Sequence, residues 1–314
     1  MRRILYSLAS AGAVASLAIA ATGAFFSDTE VSEDNVLAAG ALDLKIDSTA
    51  HYAGMVCQLT DNGYVWVDET PDNPNDNPRP ELLGTACVGT WELKDLEEGD
   101  TFFDLIDIKP GDGGENTISL HVFDNDAWGR IRLENVLDED VDCTEPETES
   151  SDPECSAEPP VPGEGELSES LAWEVWLDQG QVPGFQNYPN DDLPDDPGEG
   201  DNIRQKDEPV FDGRGIQEDG SVLLSQYLRQ AYRQFCTVGD GVPAEGVSPD
   251  GHDNYGNCHG LALDGRLVGS ATYYIGVAWS LPGEVGNEVQ TDSIFADIAF
   301  DVEQHRNNPT PWSP

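Results

Sequence analysis

Along much of this chain apolar and polar residues alternate one by one. In ALDLKID (41–47), Leu42, Leu44 and Ile46 fall on one face and Asp43, Lys45 and Asp47 on the other. That period of two marks a half-buried strand. NTISLHVF (116–123) lines up Ile118, Leu120 and Val122, and LAWEVWLD (171–178) lines up Leu171, Trp173, Val175 and Leu177. ATYYIGVAW (271–279) aligns Ala271, Tyr273, Ile275, Val277 and Trp279. SIFADIAFDV (293–302) does the same with Ile294, Ala296, Ile298, Phe300 and Val302. Apolar runs at 63–67, 101–107, 128–135 and 260–269 suggest further strands. KPGD (109–112) and LPGE (281–284) carry Pro and Gly where a type II turn wants them. Many short strands between Gly/Pro turns predict an all-β sandwich or barrel.

One segment breaks the period. In SVLLSQYLRQAYRQF, Leu224, Tyr227, Leu228, Ala231, Tyr232 and Phe235 recur at helical spacing. A short helix is expected near 221–236, with Ser221 as N-cap and Arg229 and Arg233 complementing the C-terminal dipole. Its apolar stripe reads as a packing face. Around it the composition turns acid-, Pro- and Gly-rich, as in DEDVDCTEPETESSDPECSAEPPVPGEGE and PNDDLPDDPGEGDN. Residues 138–258 are therefore read as a long acidic insertion within one sandwich domain, 41–314.

Charge sharpens this picture. The 314 residues include 61 Asp+Glu against 15 Lys+Arg, a net charge of -46. Such self-repulsion destabilises a compact state in dilute buffer and is screened in molar salt, where the Debye length is about 3 Å. The balance reads as adaptation to a halophilic, high-salt medium. It makes nucleic acid and anionic membrane surfaces poor partners. Seven Trp, nine Tyr and ten Phe argue for a packed core rather than an acidic disordered chain.

The first 24 residues, MRRILYSLASAGAVASLAIAATGA, have a basic start, an uncharged run and small residues at the end. This is the layout of a cleaved signal peptide. The run is Ala-, Gly- and Ser-rich, which makes it a poor permanent anchor. Cleavage between Ala24 and Phe25 leaves an extracellular or cell-surface chain without stable membrane insertion. Six cysteines, Cys57, Cys87, Cys143, Cys155, Cys236 and Cys258, are dispersed with no C-x-x-C. In an exported protein they are disulfide candidates. Connectivity stays open, neighbour pairing being the simplest.

No catalytic constellation emerges. The five histidines form no H-E-x-x-H, and no G-x-S-x-G, P-loop or G-x-G-x-x-G occurs. GHDNYGNCHG (251–260) offers His252, Asp253, Cys258 and His259, but a disulfide at Cys258 would remove a ligand, and the segment reads as a loop. DETPDNPNDNPRPE (68–81) and DDLPDDPGEGD (191–201) are rich in oxygen ligands without EF-hand spacing. They read as solvated acidic loops, with weak Ca2+ binding as the alternative. No cofactor and no metal site is expected.

The junction TGAFFSDTEVSEDNVLAAGALDLKID resembles that of the TasA/camelysin family of exported proteins. The matching elements are Ala24-Phe25-Phe26-Ser27-Asp28, Asn35 and Ala39-Gly40-Ala41-Leu42-Asp43-Leu44. IKPGDGGENTISLHVFDNDAW and YYIGVAWSLPGEVGNEVQTDSIFADIAF resemble the family further along, whereas the acidic insertion departs from its compact members. The resemblance implies a jelly-roll-like antiparallel β-sandwich processed by a SipW-type signal peptidase. It also implies a structural subunit of an extracellular fibre, pilus or biofilm matrix. The expected partner is the chain itself, in a head-to-tail homopolymer. In such fibres the freed arm (25–40) enters the next subunit as a donor strand, and Phe25, Phe26, Val31, Val36 and Leu37 are its apolar residues here. The alternatives are a monomeric surface or envelope binding protein, and, because some camelysins carry that label, a secreted metalloendopeptidase.

Overall fold

The structure, a computed structural model, describes residues 27–28, 42–69, 79–105, 107–149, 152, 155, 165–186, 196, 198–239, 241–254 and 256–312. The leader 1–24, Phe25, Phe26 and the arm residues Val31, Val36 and Leu37 lie outside the described residues.

Strand β1 is Ser27–Asp28, β2 Asp43–Tyr52, β3 Met55–Thr60 and β4 Gly63–Asp68. β5 (Trp91–Lys94), β6 (Gly113–Phe123) and β7 (Ala127–Asp140) follow. Two single-turn helices, α1 (Glu145–Thr148) and α2 (Leu167–Ser170), precede β8 (Ala172–Leu177). β9 (Val222–Leu223) runs directly into α3 (Leu224–Phe235). β10 (Thr237–Val238), β11 (Val242–Pro243), β12 (Thr272–Ser280) and β13 (Asp292–Gln304) complete the order.

The alternation builds an antiparallel β-sandwich. The large sheet runs β4-β3-β2-β6-β12-β8, with β5 also paired to β2, and the small sheet runs β1-β13-β7-β9. β10 and β11 form a separate two-stranded hairpin. Leu44 and Ile46 of β2, Ile118, Leu120 and Val122 of β6, and Tyr273 and Ile275 of β12 face the core. From the small sheet come Phe300 and Val302, and Phe102 and Phe300 meet at 5.9 Å between ring centres. A second apolar cluster, with Tyr52, Met55, Trp66 and Trp279, closes one end. Helix α3 buries Tyr227, Leu228, Ala231 and Tyr232 in the main core, so the insertion supplies part of that core.

Several elements differ from expectation for identifiable reasons. β2 is longer than 41–47 because the inward face continues through Ser48, Ala50 and Tyr52, two of them too small or polar to register as apolar. The described residues of 101–107 form no strand; Phe102 turns into the core and its carbonyl accepts from Asn116 Nδ2 at 2.9 Å. Residues 260–269 are turns whose Leu261, Leu267 and Val268 are buried without a ladder. In β8 the fully buried ring is Trp176, while Trp173 on the expected face is 50% exposed. Ser221 does not cap α3: its hydroxyl bonds Asp219 at 2.6 Å, and β9 leads into the helix.

Three disulfides, Cys57–Cys87, Cys143–Cys155 and Cys236–Cys258, join neighbours in sequence. They suit an oxidising location. Among the described residues no helix is long and apolar enough to cross a membrane.

Candidate functional site

Sheet edges expose unpaired N–H and C=O groups and invite pairing with another chain. Here most edges are covered by the chain itself. At β4, Val65 bridges to Ala86, Trp66 N–H donates to Thr85 O at 3.0 Å, and Gly84 N–H donates to Trp66 O at 2.9 Å. At β8, Trp176 bridges to Val210, while Phe211 N–H donates to Val175 O at 2.7 Å. Beside β9, Ile216 bridges to Val222.

β13 is different. On its inner side it pairs with β7 along nearly its whole length, with a bulge between Phe295 and Asp297. On its outer side β1 covers only two positions, Ser27 opposite Glu303 and Asp28 opposite Val302. Among the described residues Asp292–Asp301 has no strand on that side. The extra residue of the bulge lies in β7; along β13 the alternation continues, Ile298, Phe300 and Val302 turning inward while Phe295, on the other face, is 58% exposed. Phe295 stands opposite Leu137, itself exposed, and Leu133 and Val136 of β7 are exposed as well, Leu133 opposite Ile298.

The base of this ribbon is held by charge. Asp301 is buried, and it accepts from Arg130 Nε at 2.9 Å and Arg132 Nε at 2.6 Å. Burial pushes its carboxyl up, but the two guanidinium hydrogen bonds outweigh that and hold it below the ordinary range.

At the other end of the ribbon, Asp140, Glu147 and Asp292 bring carboxylate oxygens within 4.8 Å of one another. Asp292 is pushed up to about 6, by burial first and then by Asp140 and Asp138, against hydrogen bonds from the Glu166 and Leu167 N–H groups. Its Oδ2 accepts those two bonds at 2.7 and 2.9 Å. Asp140 also lies beside Cys143 and Cys155, whose sulfurs are committed to a disulfide.

The histidine loop holds no such cluster. Cys258 is in a disulfide with Cys236, and His252 turns to Asp126 at 2.8 Å. His259 is buried, and burial holds its imidazole below the ordinary value. A concavity of about 420 Å³ lies along α3, lined by Arg214, Arg229, Arg233, Gln226, Gln230 and Gln234. The six cysteines apart, none of the expected site residues falls in the described part of the chain. The open edge was marked in sequence only by the strand 293–302; its exposure depends on which strands reach it.

Fold and edge together define a disulfide-linked antiparallel β-sandwich in which, among the described residues, the outer side of β13 is largely unpaired. No protein-family model matches the chain, and no curated protein matches it.

Proposed function

We propose that the chain is an exported structural subunit of an extracellular fibre, pilus or biofilm matrix, of the TasA/camelysin kind. The observation that carries this reading is the contrast, among the described residues, between covered edges at β4, β8 and β9 and the unpaired outer side of β13 from Asp292 to Asp301. Cleavage after Ala24 by a SipW-type peptidase frees an arm beginning Phe25-Phe26. Ser27 and Asp28 pair antiparallel with Glu303 and Val302, so an arm extended in the same sense would point along β13 toward Asp292. An arm from a neighbouring copy laid there gains main-chain hydrogen bonds. Val31, Val36 and Leu37 meet a ribbon already carrying exposed Leu133, Leu137 and Phe295. Such a head-to-tail contact does not close on itself, so it propagates as a filament.

The test is negative-stain microscopy of mature protein in molar salt. Filaments that disappear on deleting residues 25–38 support the reading. Filaments unchanged by that deletion, or an exported chain still carrying residues 1–24, overturn it.

A second reading, a monomeric surface binding protein, has two observations in its favour. The chain's own Ser27–Asp28 pairs with β13, and the groove along α3 gathers three arginines in a strongly acidic molecule, a fit for an acidic polysaccharide. A mature chain that stays monomeric at high concentration would favour it. Metal-dependent proteolysis abolished by a chelator would instead favour an endopeptidase.

A further inference from the structure

Asp196 and residues 198–211 of the insertion run beside the end of β8. Leu177 N–H donates to Pro209 O at 3.0 Å, and Gly200 lies against the ring of Tyr274 in β12. There Asp178 is 0% exposed. Asp178 Oδ2 accepts from Asn202 N–H at 2.9 Å, while Oδ1 is buried with no hydrogen-bond partner. Asn202 is 2% exposed, and neither its Oδ1 nor its Nδ2 has a partner.

Glu208 adjoins them. Its Oε1 accepts from the N–H groups of Gln179 and Gly180 at 2.9 and 3.0 Å, and its Oε2 from that of Gln205 at 2.8 Å. The buried Gln205 Oε1 also lacks a partner. No cationic side chain answers these two carboxylates among the described residues. Arg204, in the same loop, turns away to Glu174 at 2.8 Å.

Buried polar atoms are nearly always hydrogen-bonded, and an uncompensated buried charge costs several kcal/mol or more. Asp178 Oδ1, Asn202 Oδ1 and Gln205 Oε1 are therefore buried oxygens without a donor, next to a Glu208 whose oxygens are met by backbone N–H groups, and a cation would answer them. The donor set is all oxygen, with no thiolate or imidazole. Calcium takes six to eight such oxygens in flexible geometry, mixing carboxylates, amide carbonyls and water, whereas magnesium demands a near-ideal octahedron.

We propose that Asp178, Asn202, Gln205 and Glu208 form a calcium site that fastens the acidic insertion to the edge strand β8. The site is independent of how the arm is used.

Chelator-stripped mature protein in constant molar KCl is titrated with CaCl2, following thermal unfolding and the stoichiometry by equilibrium dialysis. One ion bound, with a rise in Tm of roughly 5 °C at a hundredfold excess over Kd, is expected. Asp178→Asn and Asn202→Ala should each weaken binding at least tenfold, while Asp140→Asn leaves it unchanged. Should Asp178→Asn fail to fold, Asn202→Ala carries the comparison, since it removes no charge. Absence of binding at 10 mM Ca2+ overturns the proposal. So does an equal response to MgCl2, or a response lost only in Asp140→Asn.

Discussion

The indole of Trp176 occupies the space that a side chain at position 276 would need. The two residues are directly paired between β8 and β12, and a Cβ built on Gly276 would fall inside contact distance of the ring. Trp176 is 1% exposed, so the ring has no free direction in which to yield. Gly276→Ala is expected to destabilise the fold by about 1–3 kcal/mol through overpacking. Denaturant unfolding in molar salt measures it, and early proteolysis between β8 and α3 should accompany the loss.

Asp301→Asn should cost about 3 kcal/mol at neutral pH, the lower end for breaking a buried ion pair, because Arg130 and Arg132 keep some contact with water. The folded carboxyl lies below its unfolded value, so its contribution is full above about pH 4 and fades as pH falls through the folded value. The gap between variant and parent should therefore narrow in acid. A constant gap from pH 7 to pH 3 would contradict the pairing.

Asp292 carries the opposite sign. Its folded value, about 6, lies above the unfolded one, so the folded chain holds the proton more tightly. This group lowers stability progressively as pH rises from about 4 through 6, and fully above that. Asp292→Asn should leave Tm unchanged near pH 4 and raise it at pH 8. Thermal scans at the two pH values in the same salt decide the matter.

The disulfide Cys57–Cys87 closes 30 residues, including the segment that covers β4. Loop-closure entropy assigns it roughly 3–4 kcal/mol. Replacing both cysteines with Ala should lower stability by that order and, by loosening Thr85 and Ala86, expose the β4 edge. Light scattering during refolding should then rise above that of the parent.

Much of the sandwich was legible before any coordinates, because alternation reports burial directly. β2, β6, β8, β12 and β13 all lie where the period of two placed them. The strands expected at 101–107 and 260–269 were lost for one shared reason: Phe102 and Leu261 are buried by loops, and an apolar run does not tell a ladder from a buried turn. The facing of Trp176 was hidden because a tryptophan stands on each face of β8, Trp173 half-exposed and Trp176 buried. The acidic loop at 191–201 was visible as oxygen-rich, but Asp178, Asn202, Gln205 and Glu208 gather only when the insertion folds back on the sheet. Their spacing in the chain follows no metal-loop pattern, so nothing in the linear order marks them. The contrast between edges is likewise a property of assembly, not of any one segment.

Among the described residues the edges at β4, β8 and β9 are covered by the chain's own loops, while the outer side of β13 from Asp292 to Asp301 carries no strand. Under the proposed arm exchange, growth would be confined to one dimension and polar, since the flank that receives and the terminus that gives are different parts of the molecule. Sideways matting, the usual hazard of flat sheets, is suppressed by the same loops. A short peptide seated on β13 would accordingly act as a terminator, halting extension at one end while leaving each folded unit intact.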